Sequence, residues 1–360
     1  MNTEPGKAER LGFDEWFRNN QASREPSDTS AARVISVNKN NFVVSDGTNE
    51  IFAELAGRFM YEADSTLDLP AVGDWVSIRL FNDDTFAVIF DIFPRKSLLK
   101  RKTAGSKVEY QLIAANIDVA IIIQALDSNY NIRRLERYLV MINEGGIKPF
   151  VFLSKSDLAS GDEIEKKKSE ILRSFPGLDI LAFSNQHASD MDSIREILLP
   201  RKTYCLLGSS GVGKTTLINN LISEDLFKTQ PIREKDGRGK HTTTRRELIV
   251  LNNGAIIIDN PGMRELGVIS AENGLDETFG EIAELSKQCR FSDCTHTVEK
   301  GCAVLSALEE GVISKERYSN YMKMQKESLY HEMSYVEKRQ KDKKFGKYVR
   351  SILKYKNDKK

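Results

Sequence analysis

A glycine-rich segment near the middle of the 360-residue chain has the clearest chemical meaning. It follows an apolar, strand-like run at residues 204–207 and precedes a helix-like run at 217–222, the context of a phosphate-binding loop rather than of a plain Gly/Ser turn. Its glycines permit backbone angles at which N–H groups surround phosphate oxygens at a helix N-terminus. Lys214 is expected to reach the β- and γ-phosphates, and the Thr215 hydroxyl to bind Mg²⁺. The predicted phosphate-binding residues are Gly208, Ser209, Ser210, Gly211, Val212, Gly213, Lys214, Thr215 and Thr216.

A second motif, Ser154-Lys155-Ser156-Asp157, closes an apolar strand at residues 150–153, where an α/β sheet binds its ligands. It resembles the Asn-Lys-x-Asp guanine motif, in which the aspartate accepts hydrogen bonds from the guanine N1–H and 2-amino groups. Ser154 stands where asparagine is usual, but a hydroxyl still donates or accepts one bond, so we expect guanine preference to be retained. Ser184 is a candidate for a further base-contacting loop. The alternative for the Ser154–Asp157 motif is an arbitrary turn after a strand.

A third motif, Asp259-Asn260-Pro261-Gly262, follows the apolar run 256–258. An aspartate at such a strand end holds Mg²⁺ through water, and the Gly262 N–H can bond the γ-phosphate. The next position usually carries a glutamine that orients the attacking water. Met263 occupies it here and cannot do so.

Another group must therefore position the water. His241 lies in the Gly-Lys-His-Thr-Thr-Thr segment at 239–244, and an imidazole can orient water or act as a base near neutral pH. A purely structural role for His241 is the alternative. Thr243 is expected to close over Mg²⁺ when GTP is bound.

The order of the three motifs along the chain is unusual. The base-reading motif comes first, the phosphate loop second and the Asp-Asn-Pro-Gly motif third. In ordinary GTPases the phosphate loop leads and the base-reading motif closes. The order predicts a circularly permuted GTPase core, which a fold tolerates because domain termini often lie close together at the surface.

A cluster of thiols near the C-terminus predicts a structural zinc site. Cys289, Cys294, His296 and Cys302 supply four soft ligands within a short segment, and in a reducing compartment this favours tetrahedral Zn²⁺ over disulfides. Buried free thiols are the alternative. Cys205, in the strand before the phosphate loop, is interpreted as a core residue.

The remaining sequence predicts three structured parts. Short alternating or β-branched runs between residues 34 and 89 suit a five-stranded barrel. Apolar strands alternating with helical patterns from 117 to 259 predict a mostly parallel sheet covered by helices on both faces. Residues 276–288 and 303–355 look helical, residues 1–32 look frayed, and residues 95–102 look like a basic linker that either touches RNA phosphate or is merely solvated.

The permuted motifs, together with Ala114-Ala115-Asn116-Ile117-Asp118, the run 133–138 and the histidine-containing segment, resemble the RsgA (YjeQ/YloQ) family over residues 33–325. The resemblance implies an oligonucleotide-binding β-barrel at 33–95, a circularly permuted α/β P-loop GTPase at 96–270, and an α-helical zinc-binding domain with a basic tail at 271–360, after a flexible extension at 1–32. It also implies a GTP hydrolase that binds the small ribosomal subunit and its rRNA during late maturation. From the residues alone, an SH3-like barrel remains open.

Charge and hydropathy agree with this expectation. The net charge is only +1, but residues 338–360 carry eleven Lys/Arg against two acids, which is typical of an RNA-binding arm or of a solvated charged helix. No targeting signal or membrane span is visible, so a cytoplasmic protein is expected. We also expect a monomer, with Zn²⁺ and Mg²⁺ as cofactors. Two other classes stay open at this point: an ATP-dependent kinase or ATPase, and an RNA-binding scaffold with a vestigial nucleotide site.

Overall fold

The computed structural model describes residues 6–20, 28–38, 41–57, 59–63, 65–102, 110–229, 247–259 and 271–332. The chain divides into two compact units, residues 1–266 and 267–360. Within the described ranges, no helix is both long and apolar enough to cross a lipid bilayer.

The first unit contains a closed β-barrel. Its strands are β1 Ser30–Asn38, β2 Asn41–Ser45, β3 Glu50–Leu55, β4 Trp75–Phe81 and β5 Phe86–Ile92. Strand β1 pairs with both β2 and β4, and β3 pairs in parallel with β5, so the hydrogen-bonded order returns to its start. Alternate side chains such as Ile51, Ala53, Ala87 and Ile89 fill the interior. The barrel predicted from five short strands is confirmed.

The segment before the barrel is ordered where it is described, in contrast to the frayed extension expected from the sequence. Two short helices precede β1: α1 Lys7–Arg10 and α2 Glu15–Asn19. Phe17 is buried, and the Phe13 ring packs edge-on against Trp75 with centroids 4.8 Å apart. The expectation is wrong for residues 6–20, because composition did not reveal that these aromatic side chains cover the barrel.

The basic segment after the barrel is not a linker. It includes β6 Leu98–Lys102, which pairs antiparallel with β7 Tyr110–Ala115. Arg95 makes two hydrogen bonds of 2.8 Å with the buried Asp74 carboxylate of the barrel. Lys96 pairs with Asp14. At least these two cations are therefore used within the unit.

A six-stranded region of sheet follows, with helices on both faces. Its elements are β8 Val119–Ala125, α4 Ile132–Glu144, β9 Lys148–Ser154, α5 Gly161–Ser174, β10 Asp179–Ala182, α6 Ala188–Ile197, β11 Thr203–Leu207, α7 Lys214–Thr229, β12 Glu247–Val250 and β13 Ile256–Asp259. The strand order is β10-β9-β8-β11-β13-β12, and all neighbours are parallel except β12 and β13. Apolar residues of α4 and α5 pack on one face, and those of α6 and α7 on the other. The predicted α/β sheet is confirmed.

Arg33 joins the barrel to this sheet. Its guanidinium is almost fully buried and donates hydrogen bonds to Leu11 O at 2.5 Å and to Thr203 Oγ1 at 2.9 Å. Burial lowers the pKa of Arg33 to about 10, which the nearby Asp118 and Asp74 charges oppose. Strand β1 also pairs with β12, at Ser36 and Glu247, so the barrel and the sheet are hydrogen-bonded to each other.

The second unit is helical in its described part. Its helices are α8 Glu272–Thr278, α9 Gly280–Ser286, α10 Ala303–Glu309 and α11 Lys315–Glu332. Arg317 joins α11 to α8 and α9, since it pairs with Glu281 and donates to Thr278 O at 3.0 Å. The helical stretch predicted at 303–355 is broken between α10 and α11. The basic tail at 338–360 lies outside the described residues.

Candidate nucleotide site and metal centre

The predicted nucleotide-binding segments meet at one edge of the sheet. Strands β8, β9, β10, β11 and β13 run in parallel, so their carboxyl ends share an edge, and such edges bind ligands in α/β folds. The base-reading motif follows β9, Ser184 follows β10, the phosphate loop follows β11, and Asp259 ends β13. The fold thus brings together residues far apart in sequence.

The phosphate loop requires glycine at two positions. Gly208 has φ +149°, and a Cβ there would lie 2.6 Å from the Ile123 carbonyl oxygen. Gly213 has φ +97°, and its Cβ would lie 2.7 Å from Asn185 Nδ2. The backbone angles disfavour larger residues at both positions, and at Gly208 the neighbouring backbone carbonyl also leaves no room for a side chain. The glycines in the motif therefore serve the shape of this turn.

Lys214 lies at the start of α7 and turns back over the loop. Its Nζ donates to the carbonyl oxygens of Gly208 at 2.6 Å and of Ser209 at 2.8 Å. Thr215 and Thr216 are exposed in the first helical turn. An ammonium group and the N-terminal N–H groups of a 16-residue helix together favour an anion at this position.

The base-reading motif and Ser184 are in direct contact. The Asp157 carboxylate is exposed and accepts a 2.5 Å hydrogen bond from Ser184 Oγ. The Ser184 N–H in turn donates to Asp190 at 2.7 Å. Lys155 adopts a left-handed conformation with φ 60°, which turns the chain sharply after β9. The structure thus brings these sequence-predicted residues together, with a carboxylate facing solvent between them.

Ser154 connects the base-reading motif to the phosphate loop. Its side chain is fully buried, and its hydroxyl donates to the Val212 carbonyl oxygen at 2.7 Å. The Gln124 carbonyl oxygen lies farther away, at 3.5 Å. The serine that replaces the usual asparagine therefore donates its single proton within the protein, chiefly to Val212, rather than to solvent.

Sequence reasoning missed two residues in the loop between β8 and α4. Asp127 forms an ion pair with Lys155 at 2.7 Å, and this hydrogen bond lowers the pKa of the Asp127 carboxyl. Asn129 Nδ2 donates to Ser209 Oγ at 3.1 Å and to Ser210 O at 3.2 Å. The available signal was a polar cluster directly after a buried strand of a parallel sheet, which places it at the ligand-binding edge.

Other predicted residues lie outside the described ranges: His241, Thr243, Gly262 and Met263. Asp259 is described and is partly exposed at the end of β13. The described part of the site therefore comprises the phosphate loop, the base-reading segments and the Asp259 strand end.

The four predicted metal ligands converge in the second unit. The ligand atoms of Cys289, Cys294, His296 and Cys302 all lie within 4.8 Å of one another. The Cys289 and Cys302 sulfurs are 3.8 Å apart, and His296 Nδ1 lies 3.6 Å and 3.4 Å from them. This cluster could hold a metal ion. Cys205 is instead buried in β11, as expected for a core residue.

The hydrogen bonds around His296 favour the tautomer in which Nδ1 can bind a metal. The Ser286 hydroxyl donates to Ile282 O at 2.8 Å, and it lies 3.0 Å from His296 Nε2. A hydroxyl whose proton is used in this way accepts the Nε2–H, which leaves Nδ1 with its lone pair. Burial lowers the pKa of His296 and so favours the neutral imidazole that binds metals.

Comparison with known proteins identifies the family. The chain is 40% identical to a protein of Listeria monocytogenes named small ribosomal subunit biogenesis GTPase RsgA 2, over 90% of both chains. It is 36% identical to a protein of the same name from Vibrio parahaemolyticus, over 96% of this chain and 92% of the relative. The chain belongs to the RsgA GTPase family.

Further comparisons agree with membership of the RsgA family. The family model described as RsgA GTPase matches residues 92–269. The crystal structure of YjeQ from Thermotoga maritima resembles this structure with a TM-score of 0.61 and a sequence identity of 26%, over 84% of this chain and 99% of the YjeQ chain. The structure of YloQ, a circularly permuted GTPase, is 24% identical with a TM-score of 0.59, covering 87% and 100%, and shares the fold. The permuted GTPase core predicted from the motif order is confirmed, and the chain is a GTP hydrolase of this family.

Proposed function

We propose that this GTPase binds the small ribosomal subunit and its rRNA and couples GTP hydrolysis to a late step of subunit maturation. One observation carries the proposal: the phosphate loop and the Asp157 carboxylate of the base-reading motif lie at the same edge of the sheet. The relatives that this chain matches over nine tenths of both lengths are named small ribosomal subunit biogenesis GTPases. We further propose that it acts in the cytoplasm and as a monomer.

The proposal assigns the nucleotide to the described edge. Asp157 accepts the guanine N1–H and 2-amino groups, with Ser184 beside it, while the loop and Lys214 hold the phosphates. Thr215 and Asp259 supply a hydroxyl and a carboxylate oxygen, the donor types that Mg²⁺ prefers, and Thr243 would join them. Bound Mg²⁺ would neutralise charge on the β- and γ-phosphates. Lys155 and Gly262 complete the proposed nucleotide-binding set, and the buried Ser154 supports it through its bond to the Val212 carbonyl of the phosphate loop.

Hydrolysis is proposed to depend on His241. Methionine at position 263 cannot orient water, so His241→Ala should slow turnover by about a hundredfold with little change in GTP affinity. His331→Ala, a change of the same kind in α11, is the control. Equal turnover of the His241 variant and the wild type would remove this assignment.

The metal is proposed to be one structural Zn²⁺. Tetrahedral zinc binds sulfur at about 2.3 Å and imidazole nitrogen at about 2.0–2.1 Å, which separates two sulfurs by about 3.8 Å and a sulfur from a nitrogen by about 3.5 Å. Cys289 and Cys302 match these values, at 3.8 Å between their sulfurs and 3.6 Å and 3.4 Å to His296 Nδ1, and with Cys294 included all four ligand atoms lie within 4.8 Å of one another. Protein fills all four positions, so the ion would hold the second unit together and not act in catalysis.

The proposal divides the chain into a barrel at 33–95, a permuted GTPase at 96–270 and a zinc-binding helical part at 271–360. The barrel, the zinc-binding part and the basic tail at 338–360 supply rRNA contacts. The γ-phosphate would order the segments that present these surfaces, so the nucleotide state would control subunit affinity.

The test measures GTP turnover with and without purified small subunits, and subunit binding with GDP or a non-hydrolysable GTP analogue. Stimulation of turnover and tighter binding in the GTP state are expected. Deleting 338–360 should weaken binding and flatten its salt dependence. Equal affinity in both states, with no stimulation, would remove the ribosomal role and leave the GTPase. Competition by ATP as strong as by GTP would instead favour an ATPase.

A further inference from the structure

Three phenylalanines form a row on the outer surface of the barrel. Phe52 of β3 pairs with Phe86 of β5, and Phe86 pairs with Phe81 of β4, so the three residues lie side by side across three strands. Phe52 is 66% exposed and Phe81 is 41% exposed. Phe86, between them, is partly buried.

The barrel core does not explain these side chains. Their chain neighbours Ile51, Ala53 and Ala87 point inward and are at most 2% exposed, which places the phenylalanines on the outward side of the pleat. A water-facing sheet surface normally carries polar residues. A contiguous row of exposed aromatic side chains instead indicates a surface that binds a partner.

The charges around the row are acidic. Glu50 and Glu54 are exposed on the same side of β3 as Phe52. Asp83 and Asp84 are exposed in the turn between Phe81 and Phe86, where Asn82, Asp83 and Asp84 all have left-handed φ angles of 53°, 52° and 63°. Successive left-handed residues cost conformational energy, and such strain is concentrated at functional surfaces.

Among the residues that the structure describes, little positive charge offsets these acids. The described cation on this side of β4 is Arg79, which pairs with Asp28 and lies over the Phe90 ring, 5.0 Å from its centroid. Phosphate groups would be repelled by these exposed carboxylates. Nucleic acid is therefore a poor occupant, whereas Lys and Arg side chains would gain from both the carboxylates and the rings.

We propose that this phenylalanine face, defined by Phe52, Phe81, Phe86 and the acids beside them, docks a Lys- and Arg-rich segment of a protein partner. Cationic heads lie over the rings and pair with Glu54, Asp83 and Asp84, while the aliphatic stems cover the exposed apolar area. The inference goes beyond the proposed function, because it gives this side of the barrel a protein partner and leaves rRNA to other surfaces.

The test measures binding of a short fluorescent peptide of repeating Lys, Gly and Arg to the full-length protein by anisotropy. Phe52→Ala with Phe81→Ala should weaken binding about fivefold or more, as expected for two lost cation–π contacts. Phe52→Leu should also weaken it, whereas Phe52→Trp should maintain or tighten it, because indole is the best ring for this interaction. Asp83→Asn with Asp84→Asn should weaken binding and reduce its salt dependence.

Matched controls lie on α5, away from the barrel. Leu172, which is 41% exposed like Phe81, is changed to alanine, and the exposed Asp162 to asparagine. Both should bind peptide as the wild type does, and circular dichroism confirms that all variants are folded. The proposal is overturned if the wild type does not bind the peptide, or if the phenylalanine variants bind it normally. Loss of single-stranded RNA binding without loss of peptide binding would assign the face to RNA.

Discussion

The nucleotide site and the metal centre are built in opposite ways. The four metal ligands lie between residues 289 and 302, in loops and helix ends that fold back on themselves. The nucleotide site draws on segments from Asp127 to Asp259, positioned by the ends of five parallel strands. One site is local in sequence and the other is assembled by the sheet.

This difference predicts how strongly each ligand stabilises the fold around its site. Around the metal centre, His296 and Gly301 adopt left-handed backbone angles, and the connecting loop from 287 to 301 has little regular structure, so metal bonds would maintain its conformation. The nucleotide edge rests on a buried sheet core and on hydrogen bonds between protein groups, such as that from Ser154 to Val212. Loss of the metal should therefore unfold the second unit, whereas loss of the nucleotide should not unfold the sheet.

Removing a metal ligand should give the largest effect. Cys302 Sγ also accepts the Leu305 N–H at the start of α10, and a serine hydroxyl can accept that bond. Cys302→Ser therefore separates helix capping from metal binding. We expect the zinc content to fall from about one per chain and cooperative unfolding of the second unit to be lost, since structural zinc contributes about 10 kcal/mol or more to such folds.

Metal analysis and calorimetry measure this outcome, with nucleotide affinity as the internal comparison. Cys205→Ala, which removes a thiol from the β11 core, should keep its zinc. A Cys302→Ser protein with full zinc content and normal unfolding would show that the thiols are ordinary buried groups.

Lys214→Ala should give the next largest effect, on binding rather than folding. Two charge-assisted hydrogen bonds to phosphate at about 1.5–3 kcal/mol each correspond to a loss of GTP affinity of about a hundredfold or more. The melting temperature should change little, because the Gly208 and Ser209 carbonyls can bond water instead. Titration calorimetry measures the affinity, and Lys166→Ala on the exposed side of α5 is the control. A large drop in stability instead would make Lys214 a structural residue.

Asp157→Asn tests the base assignment. The asparagine oxygen can still accept from Ser184 Oγ, so the loop should keep its shape. The amide now donates where guanine also donates, so GTP affinity should fall by about tenfold or more, and xanthosine triphosphate should bind better than GTP. Asp162→Asn should leave both affinities unchanged. If the Asp157 variant keeps wild-type GTP affinity, another group reads the base.

The contrast between the sites also explains what the sequence could predict. The metal ligands, the glycines of the loop and the parallel sheet follow from local spacing and hydrophobic period, and the structure places them together as expected. Asn129 was missed because its partners, Ser209 and Ser210, lie about eighty positions away and meet it only through the strand order. Phe13 and Phe17 were missed for a related reason, since their burial depends on Trp75 of the barrel.

Ser154→Ala should have a smaller effect, because it removes one neutral bond. The buried Val212 carbonyl would lose its donor, at a cost of about 1–3 kcal/mol of unfolding free energy, and GTP affinity should fall only severalfold. Ser193 offers a matched control: its hydroxyl bonds Ser189 O at 3.0 Å on the exposed face of α6, so Ser193→Ala should cost about 0.5 kcal/mol or less. Equal destabilisation by the two changes would show that Ser154 does not link the two motifs.

Asn129→Ala should have the smallest effect and is the most specific test of assembly by the sheet. Its two bonds to the phosphate loop contribute about 0.5–1.5 kcal/mol each, and part of this is regained from water at a partly exposed position. GTP affinity should therefore fall about threefold to tenfold, with turnover at saturating GTP unchanged. Asn129→Asp should weaken GTP further, because a carboxylate beside Ser209 and Ser210 repels the phosphates. Asn219→Ala, on the exposed side of α7, is the control. If alanine and aspartate at position 129 have the same small effect, the contact is incidental packing; if aspartate is clearly worse, the β8–α4 loop is part of the phosphate site.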